Sequence, residues 1–291
     1  MMSVRLDRIV SVGVMKAMSG WHGAERIRFV PILMYHGIRQ RSCNRHPYFE
    51  TNTAPETFAA HMRYLSDNGY RTIGLEDLKN DEAAFDRRNR KVVITFDDGY
   101  QDFYIHALPE LVRYGFQATV FIVSSFAQNP TGGLSRHRHL DWKEIREIAK
   151  LGNSIGSHTV SHPNLQRVTR DRLVYEIAES KKVIEQEIGL AIDSFAYPYA
   201  FPEHDRAFLS TLRASLRDSG YDCGVCTRIG TLKPKSDRLF MPRIPVNTHD
   251  DLRLFEAKIS GAYDWLRLAQ IVRKYGTPGN LSARQVQPSA I

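Results

Sequence analysis

Short, nearly unbroken apolar runs alternate along the chain with segments whose apolar positions recur every three or four residues. Residues 29–35 (FVPILMY), 91–96 (KVVITF) and 118–123 (ATVFIV) read as strands buried on both faces. Shorter strands are expected at 154–156, 193–197, 221–226 and 240–246. Between them the spacing predicts helices. One covers 54–68, with Phe58, Met62 and Leu65 on one face, and another covers 100–114, broken at Pro109. Further helices are expected over 141–151, 169–188 and 206–219, stopped by Gly152, Gly189 and Gly220, and again from Asp250 onward. Strand followed by helix, over and over, predicts a parallel α/β sheet covered by helices. The expected closure is a (β/α) barrel, distorted or incomplete, with about seven strands; an open doubly wound sheet is the runner-up.

The expected organisation is a basic flank over 1–28, one domain over 29–258, and a C-terminal helix with a frayed tail over 259–291. Composition fits a globular chain: 291 residues, 42% hydrophobic and 25% charged. The net charge of +8 is the unusual number. Its distribution changes its meaning, because residues 1–30 carry +3, residues 258–291 carry +4 and the stretch between carries +1. A nucleic-acid groove needs a basic cluster on the folded body, so nucleic acid is not an expected partner. Peripheral contact of the two basic flanks with an anionic membrane is the remaining implication, and no protein partner is evident. No apolar run approaches the length of a membrane span, and the N-terminus makes a poor signal peptide. The expected location is therefore cytoplasmic or membrane-peripheral, with export left open. Three cysteines do not make a disulfide framework. Cys43 stands alone, and Cys223 and Cys226, despite their C-x-x-C spacing, read best as small apolar residues in a strand.

Barrel enzymes collect their chemistry at the C-terminal ends of strands. Here those ends carry His36-Gly37, Asp97-Asp98-Gly99, Ser157-His158 with His162 four residues on, and Pro198-Tyr199; the last strand carries Arg243. Adjacent carboxylates stay ionised at low cost only beside a cation. One can hold a metal while its neighbour, pointing to the other side, acts as a base. An Asp-Asp-Gly turn is the plainer alternative. His158 and His162 would face the same way if their segment were one helical turn. With Asp98 they make two imidazoles and one carboxylate, a set that leaves positions open for water and substrate.

Thr95-Phe96-Asp97-Asp98-Gly99 and His158-Thr159-Val160-Ser161-His162 resemble the TFDDG and H-[ST]-x-x-H motifs of the polysaccharide deacetylases, carbohydrate esterase family four, with its NodB-like domain. The resemblance spans about residues 29–250. It implies a divalent metal, zinc first among candidates, held by Asp98, His158 and His162, with Asp97 as general base. The third family motif, R-x-P-[YF], is half present as Ala196-Tyr197-Pro198-Tyr199. The Tyr199 N–H would help bind an oxyanion, and Arg243 is the candidate replacement for the missing arginine. The late L-x-H motif, source of the acid histidine, is absent. Leu33-Met34-Tyr35-His36-Gly37 resembles the N-terminal strand of the branch containing poly-N-acetylglucosamine deacetylases of exopolysaccharide systems, which makes His36 the candidate acid; a core histidine capping a strand is the alternative. Asp141-Trp142 resembles an element that lines the site in related enzymes. Trp142, with Pro198 and Tyr199, is thus a candidate sugar contact, and a core anchor otherwise. The implied reaction is removal of N-acetyl groups from N-acetylhexosamine units of a glycan.

Other readings stay open. Gly152-Asn153-Ser154-Ile155-Gly156 fits G-x-S-x-G, but a helix precedes it and a strand follows, the reverse of a nucleophile elbow. His137 and His139 could form a second metal site; the preferred reading is a polar loop over the rim. A non-catalytic glycan-binding protein, or a deacylase of a formamido sugar lipid, would use the same fold.

Overall fold

The computed structural model describes residues 5–19, 28–40, 47–79, 82–131 and 137–275. Cys43 and the tail from Gly276 lie outside them. Strands β1 (Ile32–Tyr35), β2 (Arg71–Thr72), β3 (Lys91–Phe96), β4 (Thr119–Ile122), β5 (Ser154–Ser157), β6 (Ser194–Ala196), β7 (Cys223–Ile229) and β8 (Met241–Pro245) pair only in parallel. The order β1-β8-β7-β6-β5-β4-β3 closes on itself, because β1 pairs β3 over Ile32–Tyr35 and Val93–Phe96. The ring is therefore complete with seven strands rather than open. β2 pairs only the first two residues of β3, outside the ring.

Each strand alternates between two apolar environments, as a barrel requires. Ile32, Val93, Phe121, Ala196, Cys223, Val225 and Met241 share one buried cluster inside the ring. Their neighbours Leu33, Ile94, Val120, Phe195, Cys226 and Ile244 belong to the larger cluster that faces the helices. Burial on both faces is why the strands read as continuous apolar runs instead of alternating ones.

Helices α2 (Pro55–Asp67), α3 (Leu108–Tyr114), α5 (Trp142–Lys150), α6 (Arg170–Ile188) and α7 (Arg206–Asp218) match the expected segments. Their ends have local causes. Thr169 caps the Arg172 N–H, Asp141 and Glu144 form a reciprocal capping box, and Gly115 and Gly189 end their helices in the left-handed conformation. The segment expected to be helical over 100–114 is helical from 101 to 114, and its irregularity is a π-turn, Phe103–Ala107, that leads into α3 with Pro109 in its first turn. The helix expected from Asp250 is split into α8 (Leu252–Ile259) and α9 (Leu266–Tyr275), with Gly261 at φ 83° between them. A short helix, α4 (Ser124–Gln128), and an N-terminal one, α1 (Leu6–Ser19), had no clear sequence signal.

α1 packs on α8 through polar contacts. Arg8 pairs with Asp251 at 2.6 Å, the Trp265 indole donates to Ser11 Oγ at 3.0 Å, and the Tyr263 hydroxyl donates to Asp7 at 3.2 Å. Among the described residues no helix is long and apolar enough to cross a membrane.

Gly156 sits where β5 lines the ring. A Cβ there would lie 2.5 Å from the Phe121 ring and 2.6 Å from Ser194 Oγ. Gly156→Ala is expected to cost ~1–3 kcal/mol by overpacking. Gly13→Ala, with nothing near it on α1, is expected to gain ~0.5–1 kcal/mol. Urea midpoints of the two variants check both signs.

Candidate active site

The inward positions at the C-terminal end of the ring are polar. Thr95, Asp97 and Arg243 are all buried. Arg243 Nη1 and Nη2 reach the two Asp97 carboxylate oxygens at 2.6 and 2.7 Å, a bidentate pair. The fork is completed by Thr95 Oγ1 at 3.1 Å and the Cys226 carbonyl at 3.3 Å. Burial alone would push the Asp97 carboxyl up, but the charges of Arg243 and His158 and the Arg243 hydrogen bonds outweigh it and hold the group below the usual carboxylate range. His36, at the end of β1, puts Nε2 3.9 Å from Asp97 Oδ2.

Asp98 turns the other way. His158 Nε2 lies 3.5 Å and His162 Nε2 3.4 Å from Asp98 Oδ1, and all three ligand atoms fall within 4.8 Å of one another. Two ligand atoms each ~2.1 Å from a tetrahedral ion would be ~3.4 Å apart, so the donor set fits a divalent cation. His158 Nδ1 contacts the Ala196 carbonyl at 2.8 Å. That bond puts the proton on Nδ1 and leaves the Nε2 lone pair facing Asp98. Burial, then the nearby His158 charge, lowers the His162 pKa to about 4, so its ring is in the neutral, ligating form at ordinary pH. Burial opposes a charged His158, yet Asp98 and Asp97 raise it above its ordinary value. The same attraction makes the pocket favourable for positive charge.

The backbone that aims these groups is unusual. Among the described residues six non-glycines have positive φ, and four are here: Asp98, Thr159, His162 and Tyr199, at 71°, 72°, 55° and 59°. Such positions cost ~1–3 kcal/mol each and persist only where surroundings fix them. The segment 158–162 is thus a loop, not the helical turn expected from the i, i+4 spacing. The two rings meet because the loop doubles back, with centroids 4.7 Å apart. Glu176 of α6, fully buried, holds it by accepting from the Val160 and Ser161 N–H groups at 2.8 and 2.9 Å and from Ser161 Oγ at 2.7 Å. The first N–H groups of α4 donate to the Thr159 and Val160 carbonyls. On the facing loop, Thr227 of β7 donates to the Tyr199 carbonyl at 2.8 Å and accepts from Phe201 N–H at 3.1 Å. The Tyr199 ring lies 4.7 Å from that of His162, with Pro198 preceding it in the same turn.

His139, read from sequence as part of a polar loop, is buried. It is packed between Tyr100 and Phe126, and its Nδ1 lies 3.0 Å from the Asp98 carbonyl. His139 therefore braces the Asp97-Asp98-Gly99 turn, and Asp98, His158 and His162 are the group found among the described residues that could hold a metal ion. Leu140 N–H donates to the Gly99 carbonyl at 2.8 Å. Trp142, the first residue of α5, is half-buried and packs against the outer core, the core contact that the sequence leaves open as the alternative to a sugar contact. Sequence reasoning missed Glu176 and Tyr100. Glu176 had a signal, a carboxylate between Leu173 and Ile177 on the apolar face of α6. Tyr100, whose ring stacks on that of His139, had none beyond its position after the turn.

A polysaccharide deacetylase family profile matches residues 85–223. A Bacillus subtilis (strain 168) protein with the provisional name polysaccharide deacetylase YxkH is 32% identical over 230 residues, covering 79% of this chain and 75% of that one. The chain belongs to the polysaccharide deacetylase family. It is similar at 22% identity to the poly-beta-1,6-N-acetyl-D-glucosamine N-deacetylase of Staphylococcus aureus (strain MRSA252), over 74% of this chain and 78% of that one. In fold, this deacetylase resembles the Streptococcus pyogenes deacetylase PplD, solved in complex with acetate. That match has a TM-score of 0.69 at 24% identity, covering 80% of this chain and 99% of the other. It also resembles IcaB from Ammonifex degensii, with a TM-score of 0.65 at 21% identity, covering 80% and 97%.

Two outcomes follow for this deacetylase. In the native protein the depressed Asp97 pKa adds stability above the unfolded value near 3.8, and this is lost as pH falls through the folded value. Arg243→Met strands a buried carboxylate and is expected to cost ~3–5 kcal/mol near neutrality. In that variant burial pushes Asp97 up, so the deficit should shrink on acidification; urea titrations from pH 7 to pH 4 read it. Glu176→Ala should release the histidine loop and lower the affinity of the Asp98, His158 and His162 set for added zinc, used as a divalent probe, ~10–100-fold, measured by competition with a chromophoric chelator.

Proposed function

We propose that this enzyme is a divalent-metal-dependent N-deacetylase, with zinc the leading ion, acting on polymers of N-acetylhexosamine, poly-N-acetylglucosamine first among them. The observation that carries the reading is the placement of the Asp98, His158 and His162 donor set beside a second carboxylate, Asp97, that Arg243 keeps ionised. The Staphylococcus aureus relative, named for poly-beta-1,6-N-acetyl-D-glucosamine, supports the choice of substrate.

A cation held by Asp98, His158 and His162 would supply Lewis acidity for the acyl carbonyl and for a water molecule. The protein groups do the rest. Asp97, locked in one orientation by the Arg243 fork, accepts the proton of the attacking water. It stays a carboxylate because Arg243 outweighs its burial. The Tyr199 N–H, set by the left-handed turn, stabilises the oxyanion. His36, close to Asp97 and partly exposed, delivers a proton to the departing amine, so that amine and acetate leave as separate products. Trp142 and the Pro198-Tyr199 turn border the sugar. Ala196 stands where the resemblance expects arginine, and Arg243 meets the same carboxylate from β8.

Asp97→Asn should lower acetate release from an N-acetylglucosamine oligomer by about 100-fold or more while zinc still binds. Dipicolinate treatment should silence the native enzyme, and added zinc should restore it. Full activity of Asp97→Asn, or of the metal-stripped protein, overturns the mechanism; formate in place of acetate moves the substrate to a formamido sugar.

A further inference from the structure

Beyond His36 and Gly37 the chain folds Arg39 back onto the rim of the site. Its Cζ lies 4.3 Å from the Tyr100 ring centroid. Its Nε lies 2.7 Å from Asp102 Oδ2, and each side chain is only 15% exposed. This placement needs glycine at position 37, where a Cβ would collide with the guanidinium and with the Asn52 carboxamide. The local backbone is pinned by a reciprocal pair: Arg39 N–H donates to the Thr53 carbonyl at 2.9 Å, and Thr53 N–H donates to the Gly37 carbonyl at 2.8 Å. Tyr100, the ring beneath Arg39, stacks on His139, whose Nδ1 lies 3.0 Å from the Asp98 carbonyl. The Arg39–Asp102 pair is therefore two rings away from the Asp98 turn of the candidate metal site.

The mechanism uses neither residue. Arg39 Nη2 and Asp102 Oδ1 are both buried and have no hydrogen-bond partner among the described residues. A buried polar atom without a partner carries a desolvation cost that is recovered when a ligand satisfies it. The paired side chains thus keep one unused donor and one unused acceptor, and a hydroxyl, which accepts and donates at once, matches both. The pairing also sets the charge class. A lone guanidinium would select carboxylate, sulfate or phosphate. Asp102 neutralises Arg39 and repels anions, so a neutral polyol is favoured.

We propose that the Arg39–Asp102 pair is a specificity-determining subsite that takes hydroxyl groups of an uncharged sugar residue adjoining the one being deacetylated. The inference rests on the deacetylase reading above and deepens it: the enzyme recognises more than one sugar of an uncharged glycan, and the pair discriminates against acidic ones.

Arg39→Met and Asp102→Asn test this with two probes, a β-1,6-linked N-acetylglucosamine pentamer and the sugar-free ester 4-methylumbelliferyl acetate. In either variant the ratio of kcat/KM for pentamer over ester should fall about tenfold or more, mainly through KM. Asp102→Asn, which leaves Arg39 unpaired, should also become about tenfold more sensitive to competitive inhibition by glucuronate. A parallel fall with both probes would make the pair a structural brace and overturn the proposal, as would an unchanged pentamer KM. If the native enzyme released no acetate, the deacetylase reading would fail by itself. Calorimetric titration of the pentamer would then still decide the subsite: weaker binding by Arg39→Met supports it, and equal binding overturns it.

Discussion

The buried Arg243–Asp97 pair is the interaction on which the site depends. A buried ion pair is a weak source of stability, because desolvating two charges offsets most of their attraction. Here the pair has a different use. It keeps a carboxylate ionised and fixed in orientation at 2% exposure, where burial alone would neutralise it. Each of the three guanidinium nitrogens has an acceptor, in Asp97, Thr95 or the Cys226 carbonyl, so the charge is held by partners on every nitrogen. The arrangement needs a closed ring, since β8 and β3 meet across β1 only because β1 pairs with both.

Around that pair the two carboxylates of one dipeptide have been given opposite surroundings. Asp97 faces an arginine inside the ring, and Asp98 faces two imidazoles on its rim. The separation follows from strand alternation up to Asp97 and a left-handed turn at Asp98. The histidine loop pays for its strained backbone through Glu176, which satisfies two consecutive N–H groups from a neighbouring helix. Rigid elements thus aim side chains that sit on loops.

The architecture was legible because burial on both faces leaves a strong mark: seven apolar runs, six of them followed by a periodic helix, become the seven strands of the ring. Cap residues such as Thr169 and Gly189 set helix ends to within a residue. The dipeptide Asp97-Asp98 and the pair His158, His162 were visible through their position after strands. What failed did so for physical reasons. The spacing of His158 and His162 fits a helical turn, but Thr159 and His162 adopt left-handed backbone, held by the His162 N–H to Thr159 Oγ1 bond and by the contacts of Glu176 and α4 with the residues between them, and hydrophobic spacing does not register that. Likewise α1 presents Asp7 and Ser11, not an apolar stripe, to its partners, so its periodicity does not announce packing. The π-turn before α3 is a matter of hydrogen-bond register, to which hydrophobic spacing is nearly blind.

Ala196 lies inside the ring beside Val225 and Met241, at the position where the half-preserved third motif lacks its arginine, and the guanidinium arrives from β8 instead. A closed ring has no first strand: any inward position at the same height can reach the same carboxylate. A charge that is one letter of a linear motif is, in three dimensions, a tenant of a shared interior, free to change strands as long as another side chain vacates the volume. Motifs read along the chain then underestimate how much of such a site is intact, because the ring preserves the contact and not the order in which the residues are written.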